Sequence, residues 1–147
     1  MKLIKSICKD IAFQLGYGHS ERVYQEAVSV SFYLNRIHYL KELTIPVHLR
    51  GFQIGEMRAD LVVPGKKMVI ECKAVRSNLN MNNLPQLIKY MKALKYQNGL
   101  LVNFKQDFNK TPVEFITVTR EQSVTEQTDS RDTYIVSTDT DEFEIKF

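Results

Sequence analysis

The sequence has few of the residues that staple or anchor a chain. It holds two cysteines, Cys8 and Cys72, and their spacing fits neither a metal-ligand pair nor a redox motif. A disulfide framework is therefore not expected, and a reducing, intracellular compartment is. Long apolar runs are also missing. Lys2, Lys5, Lys9 and Asp10 interrupt the apolar residues near the start, so no signal peptide is read there. No segment is long and apolar enough to span a bilayer, and no membrane partner is expected. There is no glycine-rich phosphate loop, nucleophile elbow or zinc motif. His19, His38 and His48 lack ligand spacing and read as structural or surface residues. No internal repeat is present. The 147 residues suffice for one domain with its own core, and 1–147 reads as a single unit.

Charge is unevenly spread. Residues 1–110 carry 17 Lys and Arg against 8 Asp and Glu, whereas residues 111–147 carry 3 against 9. A basic body suits a polyanionic partner. The acidic tail has two readings besides a solvated surface: a strand-pairing edge for a partner, or a cover for the basic cleft.

Apolar residues recur at helical spacing over 3–15, and Gly16-Tyr17-Gly18 ends that run. Ser20 is a candidate N-cap for a second helix over about 20–35. Its apolar stripe is Val23, Ala27, Val30 and Leu34, with Tyr24, Val28 and Ser31 beside it. Near Lys41 the period changes to two. Ile45, Val47 and Leu49 alternate, Arg50-Gly51 turns, and strands over 57–63 and 68–74 flank the turn Pro64-Gly65-Lys66-Lys67. Residues 76–83 read as a mobile loop, 83–97 as a third helix and 99–104 as a buried strand. Beyond the core, 3–105, an acidic tail over 106–147 offers strands at 113–119, 134–136 and 143–147, with a polar link over 120–132. The order ααβββαβ predicts an α/β fold: a central mixed β-sheet flanked by helices, with a β-rich C-terminal extension.

The chemistry concentrates on the paired strands. Asp60 sits on one and Glu71, Cys72 and Lys73 on the next. Alternation sends Glu71 and Lys73 to one face and Cys72 to the other. Two carboxylates beside an apolar strand are costly unless paired or bound to a metal. Asp60 and Glu71 suit Mg²⁺ or Mn²⁺, with the backbone carbonyl of Cys72 as a third oxygen. Lys73 is placed to orient a water or stabilise developing charge. The same residues also fit a cross-strand salt bridge, Asp60 or Glu71 with Lys73 or Arg58. On the third helix Lys89, Lys92 and Lys95 form a basic stripe suited to a phosphate backbone or to plain solvation. Arg76 and Asn78, Asn80, Asn82 and Asn83 lie in a polar loop that suits DNA contact.

Taken in order, these segments resemble the GxxExxY family of the PD-(D/E)XK nuclease superfamily. Gly18, Glu21 and Tyr24 match the motif of its name, Arg58-Ala59-Asp60 its "RAD" strand, and Glu71-Cys72-Lys73 its E-x-K strand. Gln86 and Tyr90 match its Q-x-x-x-Y helix, and Leu100 to Phe104 its "LLINF" strand. Cys72 departs from the usual apolar residue, and its side chain is expected to act as a small hydrophobe on the opposite face. The resemblance implies a restriction-endonuclease-like core. It implies a catalytic set of Glu21, Asp60, Glu71, Lys73 and Gln86, with Glu21 joining Asp60, Glu71 and the Cys72 carbonyl around the metal. Tyr24 and Tyr90 would be supporting neighbours, and Arg58, Arg76, Lys89 and Lys92 would contact nucleic acid.

The expected activity is metal-dependent hydrolysis of phosphodiester bonds, in DNA rather than RNA. The helix-borne acid also resembles archaeal Holliday-junction resolvases, which makes branched or repair intermediates natural substrates. Relatives in the broader superfamily often act as dimers, so a homodimer is among the expectations. The alternative is a catalytically silent module of the same fold that binds nucleic acid or a protein partner.

Overall fold

The computed structural model describes residues 1–106, 112–121 and 131–147. Helices α1 (Lys2–Leu15) and α2 (Glu21–Leu34) come first, then strands β1 (Leu40–Leu49), β2 (Phe52–Val63) and β3 (Met68–Lys73). Helix α3 (Leu84–Leu94) follows, then β4 (Asn98–Phe104), β5 (Val113–Arg120), β6 (Thr133–Ser137) and β7 (Glu142–Lys146). The seven strands form one sheet in sequence order. Only β3 and β4 are parallel, because α3 carries the chain back across the sheet between them. All other neighbours are antiparallel.

Alternation along each strand separates two cores. Met68, Ile70 and Cys72 of β3 and Leu100, Val102 and Phe104 of β4 face α1 and α2. Val69, Leu101, Ile116 and Val118 face α3. Cys72 is fully buried on the α1–α2 side, with burial pushing its thiol well up, and Cys8 in α1 is pushed up to about 12 for the same reason. Both cysteines act as small core hydrophobes. Among the described residues no helix is long and apolar enough to cross a membrane.

Several expectations change. Helix α2 does not bury the stripe Val23, Ala27, Val30 and Leu34. It buries Tyr24, Gln25, Val28, Ser29 and Phe32, and leaves Leu34 72% exposed. One residue of offset is about 100° of helix rotation. The sheet selects the aromatic flank, and the buried polar groups find acceptors in the Glu26 and Asp60 carbonyls. Strand β1 begins five residues earlier than Ile45 and β2 five earlier than Met57, giving a long hairpin closed by Arg50 and Gly51. Both turn residues have positive φ, 50° and 84°, as a two-residue type I′ turn requires.

The segment expected to be a mobile loop is tethered. Asn80 and Asn83 cap one another around a 3₁₀ turn at Met81–Asn83. The Leu79 N–H donates to Glu114 Oε1 at 2.9 Å. Among the described residues the tail lines a groove of the body, with Thr138–Asp141 beside Asn78, Leu79 and Lys105, but it does not lie over Arg58 and Lys89. Strand β5 pairs with β4 over its whole length, and β6 and β7 extend the sheet away from β1 and β2. Phe143, Ile145 and Phe147 pack on the α3 side. Residues 107–111 of the tail and 122–130 of the polar link lie outside the described residues.

Gly99 marks the closest approach of α3 to the sheet. A Cβ there would lie 2.6 Å from Met91 Sδ and 3.0 Å from Leu87 Cδ2. Gly99→Ala is expected to lift α3 and lower the unfolding free energy by about 1–3 kcal/mol. Urea unfolding tests this, and an unchanged midpoint would show that the Met91 side chain swings aside freely.

Candidate functional site

Strands β2 and β3 pair only through Leu61–Ile70, Val62–Val69 and Val63–Met68. Beyond Leu61 they part, and backbone N–H groups on the inner edges lose ladder partners. Side chains take over. The Asp60 N–H donates to Glu71 Oε1 at 3.3 Å, and the Cys72 N–H donates to Asp60 Oδ2 at 3.2 Å. Each acid thus satisfies the other strand's backbone at the fork. The Cys72 carbonyl projects to the same edge as its N–H, because both groups of one strand residue point one way.

The electrostatics are unusual. Glu71 is 3% exposed. Its carboxyl is pushed up to about 8, first by burial and then by the Asp60 charge, against the Asp60 N–H and Lys73. Asp60 is also raised by burial, opposed by the Cys72 N–H, a hydrogen bond with Glu71 and Lys73. Glu21, in the first turn of α2, is raised by burial and by Asp60 and lowered by Lys73. The charge of Lys73 therefore reaches all three acids, from three different elements. Neither Asp60 nor Glu71 forms an ion pair with Lys73 or Arg58. The ion pairs among the described residues are Lys41–Glu26 at 2.8 Å and Arg120–Asp132 at 3.2 Å. A cross-strand salt bridge is thus not what holds these charges.

The first helices place Glu21. Tyr24 is fully buried and stacks on Phe104 with ring centroids 4.5 Å apart. Its hydroxyl donates to the Gly16 carbonyl at 2.6 Å, which fastens the turn before α2. Gly18, at φ 100°, donates its N–H to Gln106 Oε1 at 3.1 Å. A side chain at that φ would be strained. The glycine and tyrosine of the motif therefore act together to set where Glu21 emerges. On the opposite side, Gln86 Nε2 donates to the Tyr90 hydroxyl at 2.6 Å. Burial and then the charges of Glu71 and Asp60 raise the Tyr90 hydroxyl, so it faces the acids as a protonated group.

The expected nucleic-acid residues divide. Arg58 and Lys89 line one groove beside Gln86 and Tyr90. Lys92 instead lies against the tail, with Nζ donating to the Phe147 carbonyl at 3.0 Å. Arg76 is exposed on the loop after β3 and does not line that groove.

Three residues escaped the sequence reading. Gln25 is buried and its Nε2 approaches the Asp60 carbonyl at 3.5 Å, bracing the parting strand from the α2 side. Asn103, fully buried, accepts from the Val75 N–H at 3.0 Å and donates to the Val75 and Ser77 carbonyls at 3.3 Å. It holds the chain directly after Lys73. Lys105 is buried and donates to Asn78 Oδ1 at 2.8 Å. The available signal for Asn103 was a lone amide inside the apolar run 100–104.

Hard oxygen donors, mutual repulsion and burial together fit a divalent cation between Asp60 and Glu71. Among the described residues no cluster of three His, Cys, Asp or Glu side chains is drawn together as a ready metal cage. Glu21 is therefore not drawn in with Asp60 and Glu71 as a third carboxylate ligand among the described residues.

Comparisons with known proteins point the same way. The family model described as the PD-(D/E)XK nuclease superfamily matches residues 1–116. Among solved structures, the protein SSO0001 superposes with a TM-score of 0.54 at 20% identity, over 81% of this chain and 61% of that one. A phage-related exonuclease from Haemophilus somnus 129PT gives a TM-score of 0.38 at 12% identity, over 69% of this chain and 55% of that one. The chain thus spans about three fifths of the length of these structures. No curated protein matches. The likeness to SSO0001 is one of fold, and the fold is the expected restriction-endonuclease-like α/β core.

Glu71 links the site to stability. Its folded value of about 8 lies above the unfolded 4.5, so the folded state holds the extra proton between these values. Stability is then greatest below pH 4.5 and is lost as pH rises toward 8. In chelator, the melting temperature should fall across this window, and in Glu71→Gln it should fall much less. Scanning calorimetry checks this, and parallel curves for the two proteins would overturn the assignment. Tyr24→Phe should cost about 0.5–1.5 kcal/mol from the lost Gly16 bond. Urea denaturation measures that loss, and an unchanged midpoint would release the turn from Tyr24.

Proposed function

The chain belongs to the PD-(D/E)XK nuclease superfamily, and from that premise we propose that it is a metal-dependent nuclease that hydrolyses phosphodiester bonds in DNA. Within the superfamily we place it in the GxxExxY group, on Gly18, Glu21 and Tyr24. The observation that carries the reading is the reach of one cation, Lys73, to three acids brought from α2, β2 and β3.

Asp60, Glu71 and the Cys72 carbonyl would hold Mg²⁺ or Mn²⁺, with Glu21 completing or supporting the set. When bound, the ion neutralises the acids and polarises both a water and the phosphoryl oxygen. Lys73 orients the attacking water and meets the negative charge on the phosphoryl oxygens in the transition state. The water oxygen bonds to phosphorus, the ester P–O bond breaks, and the leaving oxygen takes a proton. Gln86 and Tyr90 supply amide and hydroxyl donors at the rim of the site. Gln25 and Asn103 act only through others: one braces Asp60, the other fixes the exit of β3.

Branched DNA, duplex and single strands are the substrates to compare. In Mg²⁺ or Mn²⁺ the protein should nick at least one of them, and Glu71→Ala should lower the rate by at least about 100-fold. Equal rates for the two proteins would refute the assignment. A silent binding module would show no carboxylate-dependent uptake of either ion in a calorimetric titration. The intact set of acids and lysine argues against that alternative.

A further inference from the structure

Beside the acids, the parting of β2 from β3 leaves a groove of about 600 Å³. One wall is β2, through Glu56, Met57 and Arg58, and the other is the start of α3. Its inner end is the Gln86–Tyr90 pair, and the Tyr90 hydroxyl senses the charges of Glu71 and Asp60. None of Asp60, Glu71 and Lys73 lines it, so the groove adjoins the candidate catalytic centre through the Gln86–Tyr90 pair. We infer that it seats one unpaired nucleotide of the strand being cut, so that single-stranded, flapped or branched substrates are preferred over continuous duplex. This inference rests on the nuclease reading above and adds its substrate class.

Three features carry it. The first is size. Pockets of about 300–1,000 Å³ enclose a small molecule, so this groove suits one nucleotide and has no room for a base pair within its stack. The second is the chemistry of the walls. Arg58 and Lys89 stand on opposite walls and suit the phosphates on either side of a nucleotide. Met57 and Pro85 offer apolar surface to a base face. Glu56 would repel a phosphate but can accept from a base amino group, and Asn82 can pair with a base edge. The third is the bare strand edge. Among the described residues, β2 from Asp60 back to Phe52 has β1 on one side and no strand on the other. The Asp60 N–H bonds Glu71 Oε1 on that side, and the strand edge beyond it offers backbone N–H groups at alternate residues. Such groups bind phosphate oxygens without regard to base sequence.

The test uses the full chain and two labelled probes of one length: a single-stranded oligonucleotide, and a duplex closed by interstrand cross-links at its terminal base pairs, so that it carries no unpaired nucleotide. Fluorescence anisotropy in Ca²⁺ reads binding, and a parallel Mg²⁺ reaction reads cleavage. Tighter binding of the single strand, by about 10-fold or more, supports the groove. Arg58→Ala and Lys89→Ala should each weaken it and reduce the slope of log affinity against log salt by about 0.7. Lys89→Arg should keep the slope, which separates a lost phosphate contact from misfolding. Met57→Trp should block the groove and erase the single-strand preference. Equal affinity for both probes, or unchanged salt slopes in the alanine variants, would overturn the inference. If single-strand preference persists while no substrate is cut, the groove stands and the nuclease reading falls. If the protein cuts closed duplex as fast as single strand and Glu71→Ala cuts neither, the nuclease reading stands and the groove falls.

Discussion

Two hydrogen bonds at the fork between β2 and β3 organise this molecule. Where the strands separate, the N–H groups of Asp60 and Cys72 have no ladder partner, and a buried unsatisfied donor costs about 1–3 kcal/mol. The carboxylates of Glu71 and Asp60 take those donors instead. The same bonds bring two acids together in a nearly dry place. Burial then raises both carboxyls, and the Asp60 charge raises Glu71 further. A site of this kind is costly to the apoprotein and is relieved by whatever neutralises it, a proton or a cation.

The elements around the fork are placed by equally local means. The Tyr24 hydroxyl ties the turn residue Gly16 to α2, and the Gly18 N–H ties the same turn to Gln106 just past β4. Glu21 follows directly from that turn. Asn103 performs the corresponding task for β3, accepting from the Val75 N–H and sharing its two amide hydrogens among the Val75 and Ser77 carbonyls and Glu114. Polar groups inside a core specify geometry because each must find a partner. Here they fix the chain beside three acids and one lysine carried on α2, β2 and β3.

The parted strands also create space. Had β2 stayed paired with β3 along its length, the groove beside Arg58 and Lys89 would be filled by ladder. Instead a long hairpin runs out with one side bare, and its tip leaves Phe52 76% exposed. Lys92, one turn beyond Lys89 on α3, is occupied by Phe147. The basic stripe on α3 is therefore split between the groove and a packing role at the far end of the sheet.

Much of this was legible along the chain, because strand alternation and helix spacing are local properties. The acids on β2 and β3, the opposite orientation of Cys72 and the order of elements followed from residue type and period, whereas Gly18, Glu21 and Tyr24 stood out only through the family resemblance. The buried flank of α2 was not legible: its apolar residues wrap most of the helix, and only contact with the sheet selects Tyr24, Val28 and Phe32 over Val23, Val30 and Leu34. The joining of β5 to β4, the tethering of residues 75–83 and the engagement of Lys92 were not legible either, since each depends on partners distant in sequence. Residue chemistry and periodicity determined which groups could react and which side of each strand they leave. Tertiary structure alone decided that β2 and β3 part at Asp60, because the loss of a ladder and its repair by two carboxylates is a balance of packing and hydrogen bonding across the whole sheet.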